Sequence, residues 1–201
     1  MKAAYETGAS ALYKDDDIQA LIEKLEMQNK GTLFADIVEL GVNAGLRISD
    51  LLSLRMYDER IDLKKGLLSL IEQKTGKKQV VAFEPTTLRR IVTKRSTAYP
   101  EHDYLFQSSS NRAAAKRQPI SVRSVNRAIT EAAKSLKLDG QFSSHSLRKG
   151  FATRLLEQGV GIEIISQLLN HSSITTTQKY LQLGAKRMID ARRMVAFSRA
   201  A

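Results

Sequence analysis

The chain has 201 residues, no Cys, three Pro and 42% hydrophobic residues, and its 32 Lys and Arg outweigh 21 Asp and Glu to give a net charge of +11. That apolar fraction is too high for a disordered polyelectrolyte, and the length leaves room for a core in one large domain or two small ones. The missing Cys excludes a disulfide framework, a thiolate zinc site and a cysteine nucleophile, and no apolar run approaches the roughly 18–20 residues of a membrane span.

The first residues, Met1 to Glu6, lack the apolar stretch of a signal peptide, so a cytoplasmic address is the expectation. Charge is unevenly placed. Residues 1–60 hold 7 basic and 11 acidic side chains, a net of −4, and residues 61–201 carry +15. A polyanion is the partner such a concentration favours.

In chain order, residues 1–14 show no clear period and read as a loose arm or linker. Asp15, Asp16 and Asp17 precede Ile18, Leu21, Ile22 and Leu25 at helical spacing, which suits an Asp N-cap and an acidic first turn. A second helix is predicted from about Thr32 to Asn43, broken by Gly45, and Ser49 is placed to cap a short helix through Leu51, Leu52 and Leu54. Ile61 and Leu63, then Leu67 to Ile71, then Val80 to Phe83 are short apolar segments. Turn residues Lys64-Lys65-Gly66 and Thr75-Gly76 separate them, and they predict a small antiparallel sheet. Pro85 can begin a helix through Leu88 and Ile91, and Ser108 to Pro119 reads as a basic loop.

From Ser121 onward the pattern is helical. Val122, Val125, Ile129 and Ala132 form one face and Arg123, Arg127 and Lys134 another. Leu147, Phe151 and Leu155 form the next stripe, followed by Ile162, Ile165, Leu168 and Leu169. Ser173 or Thr175 is placed to cap a helix that includes Tyr180, and a last amphipathic segment follows Gly184. The predicted fold class is mainly α with a small antiparallel β-sheet.

Three segments ask for more than folding. In Ala44-Gly45-Leu46-Arg47-Ile48-Ser49-Asp50, Arg47 and Asp50 are three apart on one helical face, which taken alone reads as a surface ion pair of little energetic weight. In His145-Ser146-Leu147-Arg148 a second three-residue spacing opens a helix, where two donors and the helix N-terminus suit a phosphate. His171 and Tyr180 sit nine positions apart across a predicted turn, and a lone helical Tyr is ordinarily a packing residue. His102, His145 and His171 are the only histidines and none has metal-ligand spacing to another, so no metal is expected.

Together these segments resemble the catalytic domain of the tyrosine recombinases, the phage integrase family. The family's Gly-Leu-Arg-Ile/Val-Ser-Glu/Asp segment is matched by Arg47 and Asp50, and its hairpin Lys by Lys74 in Gln73-Lys74-Thr75-Gly76-Lys77. Its His-x-x-Arg is matched by His145 and Arg148, and its His before a Ser-Ser-Ile-x-Thr-Thr-x-x-Tyr run by His171 and Tyr180. Two positions depart from the common pattern: Asn170 replaces a Gly, and can adopt the left-handed backbone, and Lys149 replaces a His while keeping a cation.

The resemblance implies the DNA breaking-rejoining fold over residues 15–183, with residues 184–201 as a C-terminal helix that docks on a neighbouring protomer or packs on its own. It implies site-specific recombination of double-stranded DNA (integration, excision or inversion) without a cofactor, by a homotetramer assembled on DNA, in the cytoplasm or nucleoid of a bacterial cell. Tyr180 is the implied nucleophile and Arg47 and Arg148 the implied clamp on the non-bridging oxygens. His145 and His171 are implied proton and hydrogen-bond partners, Lys74 the acid for the 5′ oxygen, and Asp50 a supporting residue. Lys77, Lys78, Arg112, Lys116, Arg117, Arg123, Arg127 and Lys149 are candidate DNA-backbone contacts. Family members usually carry an N-terminal core-binding domain, so about fourteen residues before the first helix fit either a fragment or a short stand-alone member. A type IB topoisomerase and a non-catalytic DNA-binding regulator are the competing readings.

Overall fold

A computed structural model describes residues 8–28, 31–108 and 117–181. Among them are eight helices, α1 (Asp15–Glu26), α2 (Gly31–Ala44), α3 (Ile48–Leu52), α4 (Pro85–Ala98), α5 (Val122–Ser135), α6 (Ser144–Glu157), α7 (Ile162–Leu168) and α8 (Ile174–Tyr180). Three strands, β1 (Ile61–Asp62), β2 (Leu67–Ile71) and β3 (Lys78–Ala82), form an antiparallel sheet in sequential order with Leu68 opposite both Ile61 and Val81. The expected mainly helical class with one small sheet is what the chain forms.

Helix starts follow local chemistry. Glu84 accepts the Thr87 amide ahead of Pro85, Ser121 accepts that of Ser124, and Ser173 that of Thr175. Ser143 and Ser146 close a reciprocal box at the start of α6. Two expected caps are corrected. Lys14 precedes α1 and Asp15–Asp17 all lie in its first turn, where their charge meets the positive end of the helix directly. Ser49 lies inside α3, which Arg47 precedes, so the extended residue is the Arg itself.

The main core joins α1, α2, α3, the sheet, α4, α5 and the start of α6, with Leu21, Leu25, Ile37, Leu40, Leu68, Leu88, Ile91 and Ile129 fully enclosed. A second, smaller cluster of Ala152, Ile165 and Leu169 lies between α6, α7 and α8, and Phe151, Leu155 and Tyr180 pack on it. The Leu147, Phe151, Leu155 stripe is therefore divided between two cores. Val122 and Leu168, expected inward, are exposed because each lies at a helix end beyond the packed surface.

The expected loose arm is not loose where it is described. Ser10 donates its amide to the Gln141 carbonyl, Leu12 donates to Ser146, and the Leu12 side chain is buried in the main core. The chain from Gly8 runs along α6 so closely that a Cβ on Gly150 would stand 1.7 Å from the Leu12 carbonyl oxygen. Gly150→Ala should therefore destabilise the protein by about 3 kcal/mol, the upper range for forced overpacking, read as a lowered urea midpoint. An unchanged midpoint would mean that this segment does not bind α6.

Candidate active site

The site forms where three connections meet: the α2–α3 turn, the β2–β3 hairpin and the α7–α8 turn. Gly45 ends α2 at φ +61°, and an added Cβ there would strike the Phe151 ring, so only glycine lets the chain turn into Arg47 this close to α6. Asn170 takes φ +50° at the α7–α8 turn, the left-handed backbone expected of it. From α6, Arg148 reaches between the two turns. Its Nη1 donates to the Gly45 carbonyl at 2.7 Å and its Nη2 to the Leu169 carbonyl at 2.5 Å. Only 5% exposed, this guanidinium is the polar pin that joins the main core to the segment carrying His171 and Tyr180.

Arg47 and Asp50 are not each other's surface partners. Arg47 Nη1 forms an ion pair with Glu72 Oε2, one residue past β2, at 2.5 Å. Asp50 is buried, and its Oδ1 accepts the Gln73 amide of the hairpin at 2.9 Å while Oδ2 has no partner. Burial raises the Asp50 carboxyl above the usual range, and the nearby Glu72 charge adds to it, against the pull of Arg47 and Arg148. Glu72 is also buried. Burial pushes it up, but the Thr75 hydroxyl and Arg47 outweigh burial and hold it below the ordinary value.

His171 Nδ1 shares a 2.8 Å hydrogen bond with the Thr177 hydroxyl, and its ring meets Tyr180 edge-on at 5.6 Å. Burial, then the positive charges of Arg148 and Arg47, drive the imidazole down to about 4, so His171 is neutral near pH 7. The Tyr180 hydroxyl donates over a long 3.4 Å to the His145 backbone carbonyl. Burial pushes this phenol up to about 12 while Arg148 and Arg47 pull it down. Two arginines, a neutral imidazole and a protonated tyrosine therefore face one another, with two buried carboxylates behind them.

The other expected site residues are placed differently. The His145 side chain is exposed and makes no hydrogen bond among the described residues, so it is its carbonyl that meets Tyr180. Lys74 stands exposed at the hairpin tip, while Lys77 reaches across to the Asn170 carbonyl at 3.4 Å. Lys78 opens β3 on the exposed face, and Arg123 and Arg127 line the exposed face of α5. Lys149 is a correction: it is buried, and its ammonium donates to the Ala9 carbonyl, because the N-terminal segment lies over that side of α6. Arg117 is exposed but pairs with Asp103 at 2.8 Å. Arg112, Lys116 and the segment after Gly184 lie outside the described residues.

Sequence reasoning missed Glu72 and Thr177. The alternation of Leu68 and Leu70 inward along β2, carried two residues further, points Glu72 inward as well. Thr177 is fully buried one turn before Tyr180 on α8, which the triple Thr run conceals. Among the described residues no three His, Asp or Glu side chains gather as a metal site, and no helix is long and apolar enough to cross a membrane.

A small hairpin sheet on a helical core, with Arg47, Arg148, His171 and Tyr180 drawn to one point, defines the class of protein. The chain belongs to the phage integrase family, whose sequence model matches residues 12–187. It is 32% identical over 155 residues to the tyrosine recombinase XerA of Pyrococcus furiosus, covering 77% of this chain and 52% of that protein. It is 31% identical over 166 residues to the "Probable integrase/recombinase YoeC" of Bacillus subtilis, covering 83% and 85%. The crystal structure of a XerA recombinase superposes with a TM-score of 0.72 at 24% identity, covering 96% of this chain and 68% of that one. The XerH site-specific recombinase bound to a palindromic difH substrate superposes with a TM-score of 0.72 at 16% identity, covering 96% and 55%. The chain thus shares the tyrosine recombinase fold, and it spans about half the length of the XerA relative.

One consequence of the depressed imidazole is testable without DNA. An unfolded chain carries His171 with an ordinary value of about 6.5, so between pH 6.5 and 4 it binds a proton that the native site refuses. Stability contributed by the neutral ring is present above that window and is lost as pH falls through it. The His171 ring resonance should titrate near 4 by NMR. A midpoint near 6.5 would show that the ring is neither buried nor crowded by the two arginines.

Proposed function

We propose that this chain is a site-specific DNA recombinase that cuts and rejoins duplex DNA through Tyr180. The observation that carries the reading is the Tyr180 phenol held beside Arg148, Arg47 and His171, the constellation that phosphoryl transfer to a tyrosine requires. In the proposed step, the Tyr180 oxygen attacks phosphorus as its proton passes to the exposed His145 ring. The bond from phosphorus to the 5′ oxygen breaks, that oxygen takes a proton from Lys74, and a 3′-phosphotyrosyl bond remains. Arg47 and Arg148 stabilise the charge on the non-bridging oxygens, and neutral His171 adds a hydrogen bond through the nitrogen that Thr177 does not hold. Rejoining reverses each bond change, so no external energy source is needed.

Asp50 orients the hairpin. Lys77, Lys78, Arg123 and Arg127 are assigned to DNA-backbone contact, and Arg112 and Lys116 keep that assignment from sequence. Exchange between two duplexes opens four strands, and with one nucleophile per chain it requires a homotetramer on DNA. Solved relatives support a DNA substrate: XerH is bound to difH, and a λ integrase dimer to a core site. The proposed domain plan keeps residues 15–183 as the catalytic unit and 184–201 as a C-terminal segment that contacts a neighbour, and adds Leu12 to the core of that unit.

The test is to incubate the protein with a nicked duplex library of random sequence, sequence the covalently trapped DNA, and place two copies of the enriched site on one plasmid. Exchange of the flanking DNA supports the recombinase. Relaxation without exchange supports the topoisomerase reading, and absence of any trapped site overturns both. Arg123→Ala should lower affinity for all sequences alike and reduce the salt slope by about one, read by titration at several salt concentrations.

A further inference from the structure

Glu72 has no role in the proposed chemistry, yet it is a fully buried carboxylate at the edge of the site. Its Oε2 lies 2.5 Å from Arg47 Nη1 and accepts the Thr75 hydroxyl at 2.5 Å. Its backbone closes the hairpin, donating to the Lys77 carbonyl and accepting the Gly76 amide. In the opposite direction, Asp50 of α3 accepts the Gln73 amide. The α3 turn and the hairpin are therefore crossed by two carboxylates, one from each side.

Lys74 lies between those two attachments. Its own ammonium has no hydrogen bond or ion pair among the described residues. Its flanking residues Gln73 and Thr75 are held by Asp50 and Glu72 respectively. An inward position on β2 that continues Leu68 and Leu70 would be filled at no electrostatic cost by another apolar side chain. Burying a charge there is costly unless the pair does something packing cannot. Each orphaned carboxylate oxygen, Asp50 Oδ2 and Glu72 Oε1, shows that hydrogen-bond satisfaction alone does not explain the arrangement.

We infer that Glu72 is a positioning residue that sets Arg47 and the Lys74 hairpin in register with one carboxylate, so that the phosphate clamp and the proton donor are aligned together. The inference rests on the function proposed above. Removing the Glu72 charge frees the Arg47 guanidinium and releases Thr75, so both the charge stabilisation and the proton delivery to the 5′ oxygen suffer.

The test compares wild type, Glu72→Gln and Thr75→Val in single-turnover cleavage of a nicked duplex carrying the trapped site. The bridging 5′ atom is either oxygen or sulfur. Sulfur leaves as a thiolate and needs no proton, so the substitution removes the demand on Lys74 and leaves the demand on Arg47. Glu72→Gln should slow the oxygen substrate about 100-fold and the sulfur substrate at least tenfold less than that, the remainder being the Arg47 share. Thr75→Val should slow the oxygen substrate about tenfold and leave the sulfur substrate within twofold. Rates within twofold of wild type for Glu72→Gln, or equal slowing on both substrates, would overturn the inference. If Glu72→Gln does not fold, as judged by its melting curve, the exposed Thr75→Val decides alone, and equal slowing on both substrates, or wild-type rates on both, counts against it. A wild-type protein that forms no adduct with either substrate would instead defeat the underlying function.

Discussion

Tyr180→Phe binds DNA within about twofold of wild type and forms no covalent adduct, a loss of about 10⁴-fold or more in cleavage, as nucleophile deletions give. Little else should change. The hydroxyl makes only the 3.4 Å contact to the His145 carbonyl, while the ring keeps its packing on Ala152, Ile165 and Leu169. Stability should stay within about 0.5 kcal/mol, so that lost activity cannot be ascribed to unfolding. With its phenol pushed up to about 12 by burial, Tyr180 holds its proton at neutral pH, which is why the proposed reaction calls for a base beside it.

Arg148→Lys is the second large effect, and it acts on both activity and stability. The guanidinium joins the Gly45 and Leu169 carbonyls through two separate nitrogens. An ammonium is a point charge that cannot span both while keeping donors for a phosphate. Cleavage should fall about 10³-fold, and the loss of one buried carbonyl's partner should cost about 1–3 kcal/mol. Single-turnover cleavage and urea unfolding measure the two separately. Retained cleavage would show that Arg148 is only the structural pin between the two cores.

The candidate site was legible because it is written in short segments. His145 to Arg148 and His171 to Tyr180 each lie within one helix or across one tight turn, so spacing along the chain becomes spacing in the fold. The sheet was legible for the same reason, since Leu67 to Ile71 alternates correctly and its turns carry Gly66 and Gly76. What remained hidden depends on contacts between distant segments. Glu72 meets Arg47 across 25 positions, and Lys149 meets Ala9 across 140, so no local pattern ranks these partners. The N-terminal segment was misread because its anchors are distant in the chain, Ser10 meeting Gln141 and Leu12 meeting Ser146, so no local period reveals them. His145 lies at the start of α6 as expected, but the exposure of its side chain was set by α6 packing rather than by the motif.

The acidic first sixty residues also take on a different meaning. They supply Arg47, and their buried Asp50 faces the hairpin rather than solvent. Outside them, the hairpin lysines and Arg123 and Arg127 of α5 are exposed.

The most direct measurement is peptide mapping of the trapped protein–DNA adduct by mass spectrometry after nuclease trimming. One modified peptide is expected, with the nucleotide on Tyr180 through a 3′ phosphate and a free 5′ hydroxyl on the released strand. A nucleotide on any other residue, or linked through its 5′ phosphate, would contradict it.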